Sequence, residues 1–191
     1  HMQGHPTALI IDEIGDCSSR LQSAYHGPLL DNTFGCWEDG TPLSVPNLVT
    51  VGCFNDPKVS TSGSATSHAV ATRSCTLDWE LPYHVWANGQ KLGFPLPAFP
   101  SLNNKWQETI RAEATRIVGF LDSHPTMRKA SLDDVVKMGV NRWRPTRVPR
   151  SWTHAAILSA AARSATGCDS GAVERLLIGG CVGLDAADNY I

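Results

Sequence analysis

Hydrophobic and polar positions follow two different rhythms along the chain. From residue 7 to residue 98 the apolar residues come in short runs, separated by Gly, Pro, Ser and Asn. Ala8–Ile11 predicts a first buried strand, Leu48–Phe54 a second and Ser74–Trp79 a third. Thr33–Trp37 and Thr41–Val45 flank Asp39-Gly40 and predict a hairpin. Residues 18–31 have Leu21, Tyr25, Leu29 and Leu30 at roughly helical spacing behind Ser18, a cap residue, with Gly27-Pro28 interrupting the second half. Asp56–Ser67 is rich in Ser, Thr and Gly and reads as a mobile loop.

From residue 99 to 191 the period becomes helical. Residues 101–123 place Trp106, Ile110, Ala114, Ile117 and Leu121 on one face. Ser131-Leu-Asp-Asp begins like a capping box, with Asp134 in place of the usual Glu. Trp152–Ala165 is alanine-rich, and segments 170–179 and 182–191 complete the helical half. Gly93–Pro100 is the boundary. The domains are therefore 1–98 and 99–191.

The first strand runs directly into two acids, Asp12 and Glu13. Taken alone, this is equally the pattern of a solvated strand end. The second strand ends in Cys-Phe-Asn-Asp-Pro, so if the two strands are neighbours, Asn55 lies near Glu13 at the carboxyl edge of the sheet, where open α/β sheets bind ligands. An asparagine there can orient a water toward a terminal phosphate; otherwise it is a turn residue before Pro57. Arg73 follows a helix-like stretch, Ala65–Thr72, where an arginine could reach a neighbouring subunit's phosphate. Arg150 stands at a helix start marked by Pro149 and Ser151, against the macrodipole preference, which hints at an anionic partner. The alternatives are an ordinary surface arginine for Arg73 and contact with the carboxylates of the first half for Arg150.

Composition narrows the classes. The chain has 191 residues, 42% of them hydrophobic, enough for a core. A formal net charge of −2 gives no general reason to expect nucleic acid or an anionic membrane. Arg142, Arg144, Arg147 and Arg150 with Trp143 and Trp152 form one local basic cluster, a minor nucleic-acid candidate. The six cysteines have no C-x-x-C spacing and read as reduced cytosolic thiols. The histidines show no metal-ligand spacing, and no nucleophile elbow is present, Gly63-Ser64 lying in a loop. No apolar run approaches the ~18 residues that would span a membrane, and no signal peptide is visible. His1-Met2 reads as a vector-derived leader.

In order and spacing these pieces resemble the C-terminal portion of a MoxR-type AAA+ ATPase. Ala8–Asp16 resembles its Walker B strand and Ser18–Tyr25 the helix after it. Thr33–Val51 is similar to the hairpin before sensor 1 and the sensor-1 strand, and Val51–Pro57 to the A-x-N-P sensor-1 motif. Residues 67–82 resemble the segment that carries the family's arginine finger. Gly93–Pro95, Trp106, Gly119–Leu121, Val148–Ala156 and Gly179–Gly183 are similar to the lid, with Arg150 in the sensor-2 position of S-P-R-x-W. Val148 replaces the usual Ser, and Thr72-Arg73-Ser74 replaces Asn-Arg-Phe. The largest departure is that the 191 residues contain no GxxxxGK[ST].

The resemblance implies an α/β fold: the later strands of a P-loop NTPase sheet, then an all-helical lid. It also implies ATP and Mg²⁺ as cofactors. Asp12 would coordinate Mg²⁺ through water, and Glu13 would polarise the attacking water. Asn55 would position that water and the γ-phosphate. Arg150 would reach phosphate from the lid in cis, and Arg73 from the next subunit in trans. The intact protein would be an oligomeric, chaperone-like remodelling machine in the cytoplasm, acting on protein clients, with von Willebrand factor A-type partners. Without a phosphate-cradling loop, this chain alone should turn over little ATP. The unpaired sheet edge would be covered by another copy, by a chain carrying the upstream half, or by a rearranged sheet. The alternative is a non-catalytic interaction module built on the AAA+ shell.

Overall fold

The computed structural model describes residues 7–56, 58–59, 66–95, 100–138 and 143–191. The first strand, β1 (Thr7–Ile11), leads into a short 3-10 turn (Ile14–Asp16), followed by α1 (Ser19–Ala24) and α2 (His26–Leu30). Ser18 caps α1 as its sequence predicts, its hydroxyl accepting from the Leu21 amide at 3.4 Å. The helical run breaks at Tyr25, just before the Gly27-Pro28 signal. Its inward position is not Leu21, which is half exposed, but Gln22, which is buried. The Gln22 side chain donates to the Cys17 carbonyl at 3.0 Å and accepts from the Ser67 amide at 2.7 Å. A polar side chain that satisfies two backbone groups has taken the place periodicity gave to a leucine.

The hairpin follows as β2 (Thr33–Cys36) and β3 (Pro42–Ser44), antiparallel. Gly40 takes φ +82°, and Asp39 accepts from the Thr41 amide at 2.9 Å, so Asp39-Gly40 makes the turn. Next comes β4 (Leu48–Gly52), parallel to β1. Register pairs Ala8 with Val49 and Ile10 with Val51, placing all four on one sheet face. That face is open: Ile10 is 68% exposed and Val49 63%. On the opposite face Ile11 and Leu48 are buried, and the Thr50 hydroxyl donates to the Pro28 carbonyl of α2 at 3.2 Å.

Helix α3 (His68–Ala71), capped by Ser67, sits within the helix-like stretch at 65–72. Most of the Asp56–Ser67 loop lies outside the described residues. The expected strand at 74–79 does not form. Its backbone finds a helix instead of a neighbouring strand: the Thr76 amide donates to the Gly180 carbonyl at 2.8 Å. Helix α4 (Tyr83–Leu92), between Pro82 and Gly93, lies in the half read as β-rich. It is largely exposed.

The second half is helical but carries one small strand pair, β5 (Ser101–Leu102) with β6 (Ala165–Thr166), where an all-helical lid was expected. A 3-10 turn (Trp106–Thr109) enters α5 (Ile110–Ser123), and another (Pro125–Met127) follows it. The predicted stripe of α5 faces inward: Ile117 is buried, and Ala114 and Leu121 pack on the core. Helices α6 (Leu132–Lys137), α7 (Pro149–Ser164), α8 (Ser170–Val182) and α9 (Leu184–Tyr190) complete the chain. Ser131 and Asp134 close the expected capping box. Pro149 stands in the first turn of α7, and Gly183, at φ +97°, separates α8 from α9. The core joins Ile117, Trp152, Ala155, Ala156, Ile178, Cys181 and Val182. Small buried residues, Ala155, Ala156, Ser159 and Ala160, line α7, while on α8 Gly179 makes room for Leu184 and Gly180 for residues 75–77. The molecule is thus mixed α/β with helix predominant. Among the described residues no helix is long and apolar enough to cross a membrane.

Candidate functional site

The pairing of β1 and β4 continues past the strands. The Cys53 amide donates to the Ile11 carbonyl at 2.8 Å, and the Ile14 amide donates back to the Cys53 carbonyl at 3.0 Å. Asp12 and Glu13 are the two residues looped out between these bonds. The turn is tight enough that Glu13 adopts φ +52°, ψ +38°, a left-handed conformation costing a non-glycine residue roughly 1 kcal/mol or more. Asp12 accepts its neighbour's amide: Glu13 N lies 3.1 Å from Asp12 Oδ1. Both carboxylates face solvent.

Asn55 stands two residues beyond Cys53, level with the turn. Its amide Nδ2 donates to both Glu13 carboxylate oxygens, at 3.2 Å and 3.4 Å. The carboxyl ends of two adjacent parallel strands therefore bring together two of the residues singled out in the sequence. Between them and the helical half stands Phe54. Its Cβ lies over Gly15, where an added Cβ would come within 3.1 Å. Its ring meets Trp143 edge-on, with centroids 5.3 Å apart.

The two candidate arginines are placed differently. Arg73 is half-buried and turned back on its own helix, with Nη1 donating to the Ala69 carbonyl at 2.8 Å. Its buried Nε has no hydrogen-bond partner among the described residues. Arg150 is exposed in the first turn of α7. Burial, and secondarily the Arg150 charge, hold the neighbouring His154 imidazole below its usual pKa. Among the described residues no hydrogen bond or ion pair joins Arg73 or Arg150 to Asp12, Glu13 or Asn55.

The described members of the basic cluster differ in exposure. Arg144 lies over the Trp143 ring at 4.9 Å, while Arg147 is mostly buried, donating to Met127 Sδ at 3.1 Å with Asp185 at 4.0 Å. Arg142 lies outside the described residues. A cleft of about 360 Å³ opens in the helical half by Lys137, Arg147 and Asp185, and one of about 320 Å³ opens where residues 76–78 of the first half meet the second, by Leu77, Trp143 and Gly180. Neither is lined by Glu13 or Asn55.

Sequence reasoning missed two groupings. Ser159, fully buried on α7, donates within reach of two buried carboxylates, Glu174 at 2.7 Å and Glu113 at 3.2 Å. Arg163 donates to Glu174 at 2.7 Å, and Arg116 to Glu113 at 2.7 Å, so two positive charges balance two negative ones. The signal was present: Glu113 lies three residues after Ile110 and four before Ile117, inside the apolar stripe of α5. The second grouping is Cys75 with Cys181, residues from opposite halves whose thiols shift each other's pKa, with Cys75 Sγ donating to the Leu177 carbonyl one turn before Cys181. No spacing rule finds such a pair.

No known protein family, curated protein or solved structure matches the chain. What the site can do rests on its own geometry. The exposed Asp12 carboxylate could hold Mg²⁺ in the mode where one or two carboxylates act together with waters and substrate phosphates. Among the described residues no three His, Cys, Asp or Glu side chains gather as a metal cage. The 191 residues contain no GxxxxGK[ST].

Proposed function

We propose that the chain is the C-terminal portion of a MoxR-type AAA+ ATPase, running from the Walker B strand through the helical lid. The intact protein would couple ATP binding and hydrolysis to chaperone-like remodelling of protein clients. It would work as a homo-oligomer, together with a von Willebrand factor A-type partner. The observation that carries this reading is the Asn55–Glu13 hydrogen bond at the ends of β4 and β1. An acid for water and an amide to orient it stand side by side, beside a second acid for the metal.

In this reading Asp12 would hold Mg²⁺ through water, and the bound ion would supply positive charge beside the phosphates. Glu13 takes the proton of the attacking water, with Asn55 fixing the carboxylate's direction. Arg150, exposed on the lid, is free to meet phosphate in cis. Arg73 must leave the Ala69 carbonyl before it can serve a neighbouring subunit.

Phosphate release from Mg²⁺-ATP tests the proposal. The 191-residue chain should give negligible turnover. The protein extended upstream to include a GxxxxGK[ST] should hydrolyse ATP, and Glu13→Gln should cut that rate ~100-fold or more while leaving nucleotide binding in place. Robust turnover by the 191 residues, or an extended enzyme indifferent to Glu13→Gln, would overturn it.

One observation favours a second reading, an interaction module without catalysis. Apolar side chains are exposed on the sheet face and around α4, where Trp79 is 87% and Leu92 86% exposed. Natural upstream sequence lacking GxxxxGK[ST] would decide for that reading. The burial of Arg147 against Met127 gives a nucleic-acid reading little support.

A further inference from the structure

Segment 74–77 is the strap by which the first half grips the helical one. Its Thr76 amide is bonded to Gly180 of α8. Cys75 Sγ donates to the Leu177 carbonyl at 3.5 Å and packs on the core that contains Cys181. The approach depends on Gly180: an added Cβ there would stand 2.5 Å from Cys75 Sγ and 2.8 Å from the Thr76 carbonyl. Both cysteines are free thiols. Cys75 is half-buried, whereas Cys181 is 1% exposed.

The two thiols are not equivalent. Interaction with Cys181 lowers the Cys75 pKa against the opposing effect of burial. The same contact, with burial, raises that of Cys181. A more accessible sulfur beside a sealed second thiol is the arrangement of an attacking and a resolving cysteine.

We propose that Cys75 and Cys181 are an oxidation site: a hydroperoxide converts the two thiols into a disulfide that fastens the 74–77 strap to α8. The Cys75 thiolate attacks the terminal peroxide oxygen. The O–O bond breaks, the alcohol or water leaves with a proton, and Cys75 becomes a sulfenic acid. Cys181 Sγ then attacks the Cys75 sulfur, the S–O bond breaks, and the departing hydroxide takes the Cys181 proton as water. Two thiols and one hydroperoxide give one disulfide, one alcohol or water, and one further water. A thiol reductant restores the starting pair.

The experiment treats the folded chain with hydrogen peroxide, blocks remaining thiols with N-ethylmaleimide and digests with trypsin without reduction. Cleavage after Arg73, Lys91 and Arg175 puts Cys75 on peptide 74–91 and Cys181 on peptide 176–191. The expected product is these two peptides joined, lighter by two hydrogens and separated by dithiothreitol. The thermal midpoint should rise on oxidation and exchange of the Thr76 amide should slow. A variant with Cys17, Cys36, Cys53 and Cys168 changed to serine should give the same cross-link, now as the sole disulfide. Cys75 running on to sulfinic acid while Cys181 stays alkylatable after unfolding would overturn the proposal. So would cross-links confined to the other four cysteines, or no cross-link in the four-serine variant.

Discussion

Ser159 has one hydroxyl hydrogen and two buried carboxylates within reach. It can donate to only one at a time, so the arginines must satisfy the rest. Ser159→Ala removes a donor from Glu174, which is 4% exposed, and should destabilise the fold by about 1–3 kcal/mol in urea denaturation. Replacing Glu174 alone should be worse, because Arg163 is left facing the cavity without its closest acceptor. Arg150 leads to a second expectation. Its charge adds to burial in holding the His154 pKa down. The fold therefore favours neutral His154. As pH falls from the ordinary imidazole value toward the lower folded one, the unfolded chain holds the extra proton and stability declines. Arg150→Gln should move the His154 titration, followed by proton NMR, back toward the ordinary value. At this scale the sequence was partly readable. Asp12, Glu13 and Asn55 stood where strand logic put them, because a parallel pair ends both strands at one edge. Gln22 and Glu113 were not foreseen, because periodicity counts a polar residue as outward and is blind to a partner waiting inside.

Single elements answer to shorter rules. In α6 the Ser131 hydroxyl accepts the Asp134 amide and the Ser131 amide donates to the Asp134 carboxylate, each at 3.0 Å. Hydrogen bonding from Ser131, side chain first and then backbone, holds the Asp134 carboxyl below the usual range. A depressed carboxyl stabilises the fold above its ordinary pKa and loses that contribution as pH falls through the folded value. Ser131→Ala should thus lower the thermal midpoint at neutral pH, with a difference that shrinks in acid. Helix α7 announced itself by Pro149, and the hairpin by Asp39-Gly40, because local backbone chemistry decides both. The strand expected at 74–79 failed for the opposite reason. An apolar β-prone run records only that its backbone needs a partner, and here the Gly180 carbonyl provides one. Gly180→Ala should force the strap off α8 and cost about 1–3 kcal/mol, read from the urea midpoint.

The molecule as a whole is unevenly sealed. The helical half closes around Trp152 and Ile178, while Ala8, Ile10, Val49 and Val51 leave one face of the parallel pair open. Parallel strands are ordinarily covered on both faces. The folded protein should therefore bind an apolar dye such as anilinonaphthalene sulfonate, and the double change Ile10→Ser with Val51→Ser should reduce the fluorescence. The contrast between the halves was visible in the change of hydrophobic period near residue 93. How the halves meet was not, because Phe54–Trp143 and Cys75–Cys181 join residues far apart in sequence.

Phe54 is a lever with a short arm. It is the residue before Asn55, and its ring rests against Trp143 at the entrance to the helical half. Force applied through Trp143 arrives one peptide unit from the amide that steers Glu13. A partner that draws the helices away would thus reach the carboxylate without touching it. The indole that transmits the pull is also a fluorophore, so the strand-end turn comes with its own gauge.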